Sequence, residues 1–465
     1  MCGVFGVRSV EREVARLAYF GLFALQHRGQ ESAGIAVWEG GRVTALREMG
    51  LVPQVFDEEK LAALPGEVAI GHTRYSTTGG ARWSNAQPLV VHGPARTVAL
   101  AHNGNLVDLG ALRDELLADG VTLSSSSDTE VIGALLARNP APLPETVAET
   151  MGRLAGAYSV VAIADGALVA FRDPLGIRPL SLGRIGEDWV VASETCALDL
   201  VGAALVRDVE PGEVVWVDGD GCHEAQAVPR GRKASCIFEH VYFARPDSLL
   251  DGTGVHAARV RMGERLAEEA PVDADFVMPI PDSGTPAAIG FAKRSGLPYE
   301  EGLIKNRYVG RTFIEPDQAL RRQGIKLKFN PLAEIHGRRL VIVDDSIVRG
   351  NTMRALVEML RGAGAAEVHV RVSSPPVVSP CFYGIDMADE DELAAAHRSV
   401  EEMREQIDAT SLFYLSLEGM QWATRLPEEA VCRACFTRHY PTAVPPERSV
   451  AKHRFEPAAT VAQRG

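Results

Sequence analysis

Long apolar runs are missing from this sequence. Nowhere do about 18 uninterrupted apolar residues occur, the length a membrane-spanning helix needs. The best candidate, Tyr158 to Phe171, is broken by Asp165-Gly166. The opening residues, Met1-Cys2-Gly3-Val4, lack the basic stretch and long apolar segment of a secretory leader. Positive charge is in deficit as well: 48 Lys and Arg face 61 Asp and Glu, a formal net charge of −13. That balance argues against a nucleic-acid binder, which needs a basic surface to meet phosphates. It leaves room for a small anionic substrate, because a few local cations and backbone N–H groups can build an anion site. Cysteine is sparse, at seven residues. The expectation is a cytoplasmic protein without membrane or nucleic-acid partners, whose cysteines are metal ligands, catalytic thiols or core filler rather than disulfides.

What is present is a well-folded composition, 46% hydrophobic and 23% charged over 465 residues. That length is too great for one ordinary core, so two domains of about 200 residues are expected. The first part reads as short strands punctuated by turns, with helices over 13–26 and 128–138. Segments 159–164 and 167–172 flank Asp165-Gly166, a two-residue hairpin signal. Further strands are read at 188–193 and 213–217. From about Ala234 the style changes: 274–279 and 339–343 are short apolar strands followed by polar loops. After the second, Met353, Leu356, Val357 and Leu360 fall on one helical face, and 367–372 reads as the next strand. That is a βαβ unit of a parallel, doubly wound sheet. The polar tail after about Pro441 reads as loose.

Cys2 directly follows the initiator Met. Removing Met1 leaves an α-amine, titrating near ~8, on the residue that carries the thiol. Nucleophile and general base then sit in one residue. Around it stand Cys2-Gly3-Val4-Phe5-Gly6, Gln26-His27-Arg28-Gly29-Gln30-Glu31-Ser32-Ala33-Gly34, Gly71-His72-Thr73-Arg74-Tyr75-Ser76-Thr77, Ala101-His102-Asn103-Gly104-Asn105 and Ser127-Asp128-Thr129-Glu130. Together and in this order they resemble the glutaminase domain of the class II amidotransferases, N-terminal-nucleophile hydrolases with an αββα fold. The resemblance implies that Arg74 takes the α-carboxylate of glutamine and Asp128 its α-ammonium. It also implies that Asn103 and Gly104 form the oxyanion hole. Arg28 and His72 are read as ordering loops or touching substrate.

The second constellation is Val341-Ile342-Val343-Asp344-Asp345-Ser346-Ile347-Val348-Arg349-Gly350-Asn351-Thr352. Two carboxylates stand at the end of a buried parallel strand, and a small, hydroxyl-rich loop runs into a helix N-terminus that can hold phosphate. This closely resembles the binding loop of type I phosphoribosyltransferases for phosphoribosyl pyrophosphate (PRPP). The resemblance implies Asp344 and Asp345 on ribose and Mg2+, with Ser346, Ile347, Val348, Arg349, Gly350, Asn351 and Thr352 on the 5-phosphate. Pro279-Ile280-Pro281-Asp282-Ser283-Gly284-Thr285-Pro286 resembles the pyrophosphate loop, which gives Asp282 and Gly284 to PRPP and Ser283 to the metal. Between the loops, Arg307, Arg311, Arg321, Arg322, Lys326 and Lys328 make a basic stretch. It is read as a lid closing over PRPP, with Lys326 among the ligands.

Cys432-Arg433-Ala434-Cys435 has metal-type spacing, and Cys236 and Cys381 can complete a four-thiolate set. Spacing alone fits zinc as well as iron–sulfur. The halves together resemble the amidophosphoribosyltransferase family, one branch of which carries a 4Fe-4S cluster in these contexts. The resemblance therefore implies a glutaminase domain over 2–230, a phosphoribosyltransferase domain over 231–440 and a tail over 441–465. It further implies one Mg2+ and one 4Fe-4S cluster per subunit, purine nucleotides as feedback inhibitors and a homo-tetramer. Cys196 and Cys222 match no ligand position. Two other readings stand against this one. A glutamine amidotransferase with another acceptor would show no PRPP-dependent pyrophosphate release. A non-catalytic PRPP-binding regulator would not need Cys2, Arg74, Asn103 and Asp128 together.

Overall fold

Turn residues cut the first half into short extended runs, and these runs pair antiparallel. The computed structural model describes residues 1–76, 79–107, 109–306, 308, 325, 327–387 and 389–444. Lys326, Arg307, Arg311, Arg321 and Arg322 of the basic stretch, and most of the tail, lie outside the described residues. Up to Gln226 the strands are β1 (Gly3–Arg8), β2 (Ser32–Glu39), β3 (Arg42–Met49), β4 (Val68–Arg74), β5 (Leu89–His92), β6 (Thr97–Leu106) and β7 (Gly156–Ala164). They continue as β8 (Ala167–Arg172), β9 (Ser181–Ile185), β10 (Asp188–Ala192), β11 (Ala204–Asp208), β12 (Glu213–Asp218) and β13 (Gly221–Gln226). One sheet has the order β11-β9-β10-β1-β4-β2-β3 and the other β13-β12-β8-β7-β6-β5. Their inner faces meet through Val4, Ala36 and Ile70 against Ala101, Val161 and Ala170. Helices Val14–Ala24 and Thr195–Val201 cover the first sheet, packing Leu22 and Leu198 around Phe5 and Val37. Helices Asp128–Arg138 and Leu143–Arg153 cover the second. The result is a four-layer αββα domain, as the motifs implied.

Local signals account for several of these elements. Asp165 and Gly166 turn with φ of 52° and 79°, and Ala164 pairs with Ala167, which makes the hairpin read from the sequence. The helix from Asp128 starts at the predicted residue because the Ser127 hydroxyl accepts the Thr129 N–H and two acids occupy the first turn. The helix read over 13–26 is shorter, Val14–Ala24, since Gln26–Arg28 tightens into a 3-10 turn before the extended Gly29.

The second half carries strands Phe276–Pro279, Arg339–Asp344, Glu367–Val372 and Ser411–Tyr414, all parallel and adjacent in that order. Helix Asn351–Gly362 buries Met353, Leu356, Val357 and Leu360 against them, so the predicted βαβ unit is observed. The two halves share one core: Met1, Ala157 and Ile177 pack with Phe238, Phe291, Tyr383 and Phe436. Ser235–Cys236 pairs parallel with Val431–Cys432 and ties the start of the second half to its end. No helix among the described residues is long and apolar enough to cross a membrane.

Helices Val255–Glu269 and Thr285–Ser295 approach backbone to backbone. A Cβ on Gly263 would stand 1.8 Å from the Ala287 carbonyl oxygen, and one on Gly290 1.9 Å from that of Val260. Gly263→Val must therefore push the helices apart. The expected cost is about 3 kcal/mol, read as a drop of several degrees in thermal melting. An unchanged melting curve would show that the crossing is slack.

Candidate functional site

Cys2 immediately precedes strand β1 and is buried. The Cys2 backbone N–H donates to Asn103 Oδ1 at 3.1 Å, and the Cys2 thiol lies 3.5 Å from the Tyr75 carbonyl oxygen. That bond holds the Asn103 amide by its oxygen. Asn103 is fully buried, and its Nδ2 has no hydrogen-bond partner. A buried amide donor left open costs free energy unless something is to occupy it. Gly104 follows with φ 152°, where a Cβ would sit 2.0 Å from the Ala157 carbonyl oxygen, so only glycine fits. Asp128 is buried at the head of its helix, accepting the Leu106 N–H at 3.1 Å with His102 Nδ1 3.6 Å away. Contacts to His102 and these N–H groups outweigh its burial and hold its pKa low.

Arg74, assigned above to the substrate carboxylate, bonds the carbonyl oxygens of Gly79 and Gly80 and lies 3.4 Å from Glu31. It is bound to its own loop. Arg28 does more than order a loop. Its Nε donates to the Cys2 carbonyl oxygen at 2.9 Å, its Nη2 to Glu239 at 2.8 Å, and its Nη1 meets Glu194. Glu194 also lies 2.7 Å from His27 Nε2 and accepts from the Ser248 hydroxyl and the Arg245 N–H at 2.6 and 2.9 Å. Neither Glu194 nor Glu239 stands out among the motifs. Their partner lies 166 and 211 residues away in the chain, and no local pattern reports such a pairing.

At the phosphoribosyl end, Asp344 and Asp345 close the strand Arg339–Asp344. Burial, and for Asp344 the neighbouring carboxylate, push both carboxyls above their ordinary range. The Ser346 hydroxyl donates to Asp345 at 2.5 Å, and Ser283 bonds the same carboxylate, so the two predicted loops meet there. A Cβ on Gly284 would lie 2.3 Å from the Val343 carbonyl oxygen, which keeps the loops in contact. Asp282 is exposed and paired with Lys305. Ile347, Val348, Arg349 and Gly350 form the turn into the helix that begins with Asn351 and Thr352.

Cys236, Cys381, Cys432 and Cys435 come together from three stretches of chain. Burial raises the thiol pKa of Cys432 to about 12 and that of Cys236 and Cys435 as well, with neighbouring thiols adding to each. Arg178 is fully buried beside Cys236 and Cys381, with Nε and Nη2 unpartnered, a cation facing a set of potential thiolates. Among the described residues no group of three or more His, Cys, Asp or Glu stands ready to hold a metal ion. Cys196 is buried near Glu194 and Cys222 is half-buried, both apart from this group.

Residues 72–200 match a family described as a glutamine amidotransferase domain, and residues 249–374 one described as a phosphoribosyl transferase domain. The chain is 52% identical to the amidophosphoribosyltransferase of Mycobacterium tuberculosis (strain ATCC 25618 / H37Rv), over 100% of this chain and 90% of that protein. The chain belongs to the amidophosphoribosyltransferase family. Another member, from Archaeoglobus fulgidus, is 49% identical over 96% of this chain and 99% of its own. The solved structure of the B. subtilis glutamine PRPP amidotransferase complexed with ADP and GMP superposes with a TM-score of 0.91 at 45% identity. It covers 97% of this chain and all of that one. Both halves of the family's activity, glutamine amidotransfer and phosphoribosyl transfer, therefore lie on this one chain.

Two buried histidines give the fold a pH dependence. Burial, with Arg74 nearby, lowers His72 from 6.5 to about 3, and burial lowers His240 to about 4. The unfolded chain takes up these protons near 6.5, whereas the folded chain resists until the lower values. Their neutral forms thus stabilise the fold fully above about pH 6.5, and that contribution drains away as pH falls toward 4 and then 3. The denaturant midpoint is expected to fall across this window and to fall less steeply in His240→Asn. A midpoint flat between about pH 6.5 and 4 would contradict this account.

Proposed function

We propose that the chain works as a glutamine-dependent amidophosphoribosyltransferase in the first step of purine synthesis, with Cys2 as nucleophile. The observation that carries the reading is the open Asn103 Nδ2 donor beside Cys2, buried and held in place by Asn103's own bond to the Cys2 nitrogen. The Cys2 sulfur attacks the side-chain carbonyl carbon of glutamine, and the carbonyl oxygen becomes an oxyanion. Asn103 Nδ2 and the Gly104 N–H stabilise it. Removal of Met1 turns the nitrogen that now donates to Asn103 into an amine, positioned to take the thiol proton and return it to the leaving ammonia. Water then releases glutamate from the thioester. Asp128 takes the substrate ammonium, and Arg74 the carboxylate once it exchanges Gly79 and Gly80 for substrate. At the second site ammonia displaces pyrophosphate from C1 of PRPP, giving 5-phosphoribosylamine.

Asp344 and Asp345 hold the ribose hydroxyls, and residues Ser346 to Thr352 the 5-phosphate. Asp282, Gly284 and Lys326 serve the pyrophosphate. The half-buried Asp344 and the buried Asp345, whose carboxyls already resist ionisation, with the Ser283 hydroxyl beside them, are the residues that would hold one Mg2+ per subunit. Mg2+ would neutralise charge on the departing pyrophosphate. Cys236, Cys381, Cys432 and Cys435 are the residues that would hold one 4Fe-4S cluster in a structural role, and Arg178 beside Cys236 and Cys381 would offset its negative charge. Purine nucleotides are the inhibitors this reading expects, and a homo-tetramer in the cytoplasm its working form. The relative from B. subtilis was solved with two such nucleotides.

The deciding assay measures glutamate formed from glutamine with and without PRPP and Mg2+. Strong stimulation by PRPP, with one pyrophosphate per glutamate, is expected. Cys2→Ala should abolish glutamine use while synthesis from free ammonia persists, and retained glutamine use in that variant would remove Cys2 from the site. For the cysteines, anaerobically purified protein should be brown, with broad absorbance near about 400 nm that is lost in Cys432→Ser. A colourless protein with stoichiometric zinc would overturn the cluster.

A further inference from the structure

The segment that carries Asn103 and Gly104 is not held by the first half alone. A loop over 381–387 reaches back from the second half and lies against the end of strand β6 that carries Asn103 and Gly104. Asn105 Nδ2 donates to the Phe382 carbonyl oxygen at 3.0 Å. Gly384, at φ 105°, faces Gly104 backbone to backbone: a Cβ there would stand 3.1 Å from Gly104 C and 3.2 Å from its Cα and carbonyl oxygen. Gly104 is therefore pinned from two sides, by the Ala157 carbonyl behind and by Gly384 in front.

The loop is itself stiff. The Cys381 N–H donates to the Met387 carbonyl and the Met387 N–H to that of Ile385, both at 2.8 Å, which closes the loop on itself. Behind it, the rings of Phe382 and Tyr383 rest on Tyr440 at 5.1 and 6.2 Å, and the Tyr383 hydroxyl pairs with Thr442 at 2.8 Å. Its far side continues toward the phosphoribosyl loop, where the Ala394 N–H donates to the Val348 carbonyl at 2.8 Å.

We infer that the 381–387 loop is a positioning element for the oxyanion hole, with Gly384 as its point of contact and the Asn105–Phe382 bond as its latch. The inference rests on the proposed oxyanion role of Asn103 and Gly104. Donors for a developing charge must be held within about 0.5 Å to be effective, and a rigid loop against a residue that can bear no side chain supplies that tolerance. Neither Gly384 nor Phe382 touches substrate; both act through Gly104.

The test uses the full-length enzyme and three variants. Gly384→Ala wedges the Gly104 backbone by a few tenths of an ångström, Asn105→Ala opens the latch without a wedge, and Asn103→Ala removes the donor itself. Gly384→Ala is expected to lower kcat for glutamine hydrolysis about 10- to 100-fold. The KM for glutamine, the rate of Cys2 alkylation by iodoacetamide and ammonia-driven synthesis should each stay within about twofold. Asn105→Ala should show the same pattern, weaker, and Asn103→Ala the same pattern at about 100- to 1,000-fold. If Asn103→Ala collapses kcat while Gly384→Ala and Asn105→Ala leave it intact, the positioning role is wrong and the oxyanion hole stands. If Asn103→Ala leaves kcat intact, the oxyanion reading fails and takes this inference with it. A parallel loss of ammonia-driven synthesis in Gly384→Ala would make the loop merely structural and overturns the inference too.

Discussion

Arg28 has no water to turn to: its side chain is fully buried, so all of its N–H donors must find acceptors that the fold brings to it. It finds them in the Cys2 carbonyl, Glu194 and Glu239, drawn from the first strand, the far end of the first domain and the beginning of the second. Breaking one arm of such a buried pair costs about 3–5 kcal/mol, because the remaining charge is stranded in low dielectric. The Cys2 backbone, the interface between the halves and the segment that follows Cys236 are thereby held in one electrostatic unit. Glu194 stays ionised in it, with His27, Arg28 and Ser248 outweighing the burial that opposes its charge.

The same junction explains why two chemistries can share a chain without sharing a pocket. The parallel sheet delivers Asp344 and Asp345 at the carboxyl ends of its strands, where open α/β folds bind ligands. The antiparallel sandwich delivers Cys2 and Asn103 at the edge of its inner faces. What joins them is an apolar core that takes Ala157 and Ile177 from one side and Phe238, Tyr383 and Phe436 from the other.

Much of this was legible in the residues. The Asp165-Gly166 hairpin, the Ser127-capped helix and the face of Met353, Leu356, Val357 and Leu360 rest on signals within a few residues, and each was read to within a residue or so. The αββα arrangement was legible only through the order of motifs, since periodicity alone does not say which sheet faces which. Arg28 was underread because its partners are remote. Arg74 was read as a ligand for substrate because a guanidinium in a motif resembles a binding fork. In the fold it also closes its own loop through Gly79 and Gly80. Gly384 carried no signal at all, because its importance lies in what another backbone does 3 Å away.

The short parallel pairing of Ser235–Cys236 with Val431–Cys432 bears on how the molecule is made. Roughly 200 residues separate those partners, and closing so long a loop carries an entropic cost that nearby contacts must offset. During synthesis the αββα sandwich can assemble while the second half is still being threaded out of the ribosome. The cysteine group and the loop that braces Gly104 cannot, because Cys432, Cys435, Tyr440 and Thr442 arrive last. A nascent chain therefore holds the sandwich before the segment from Cys432 to Thr442 has docked.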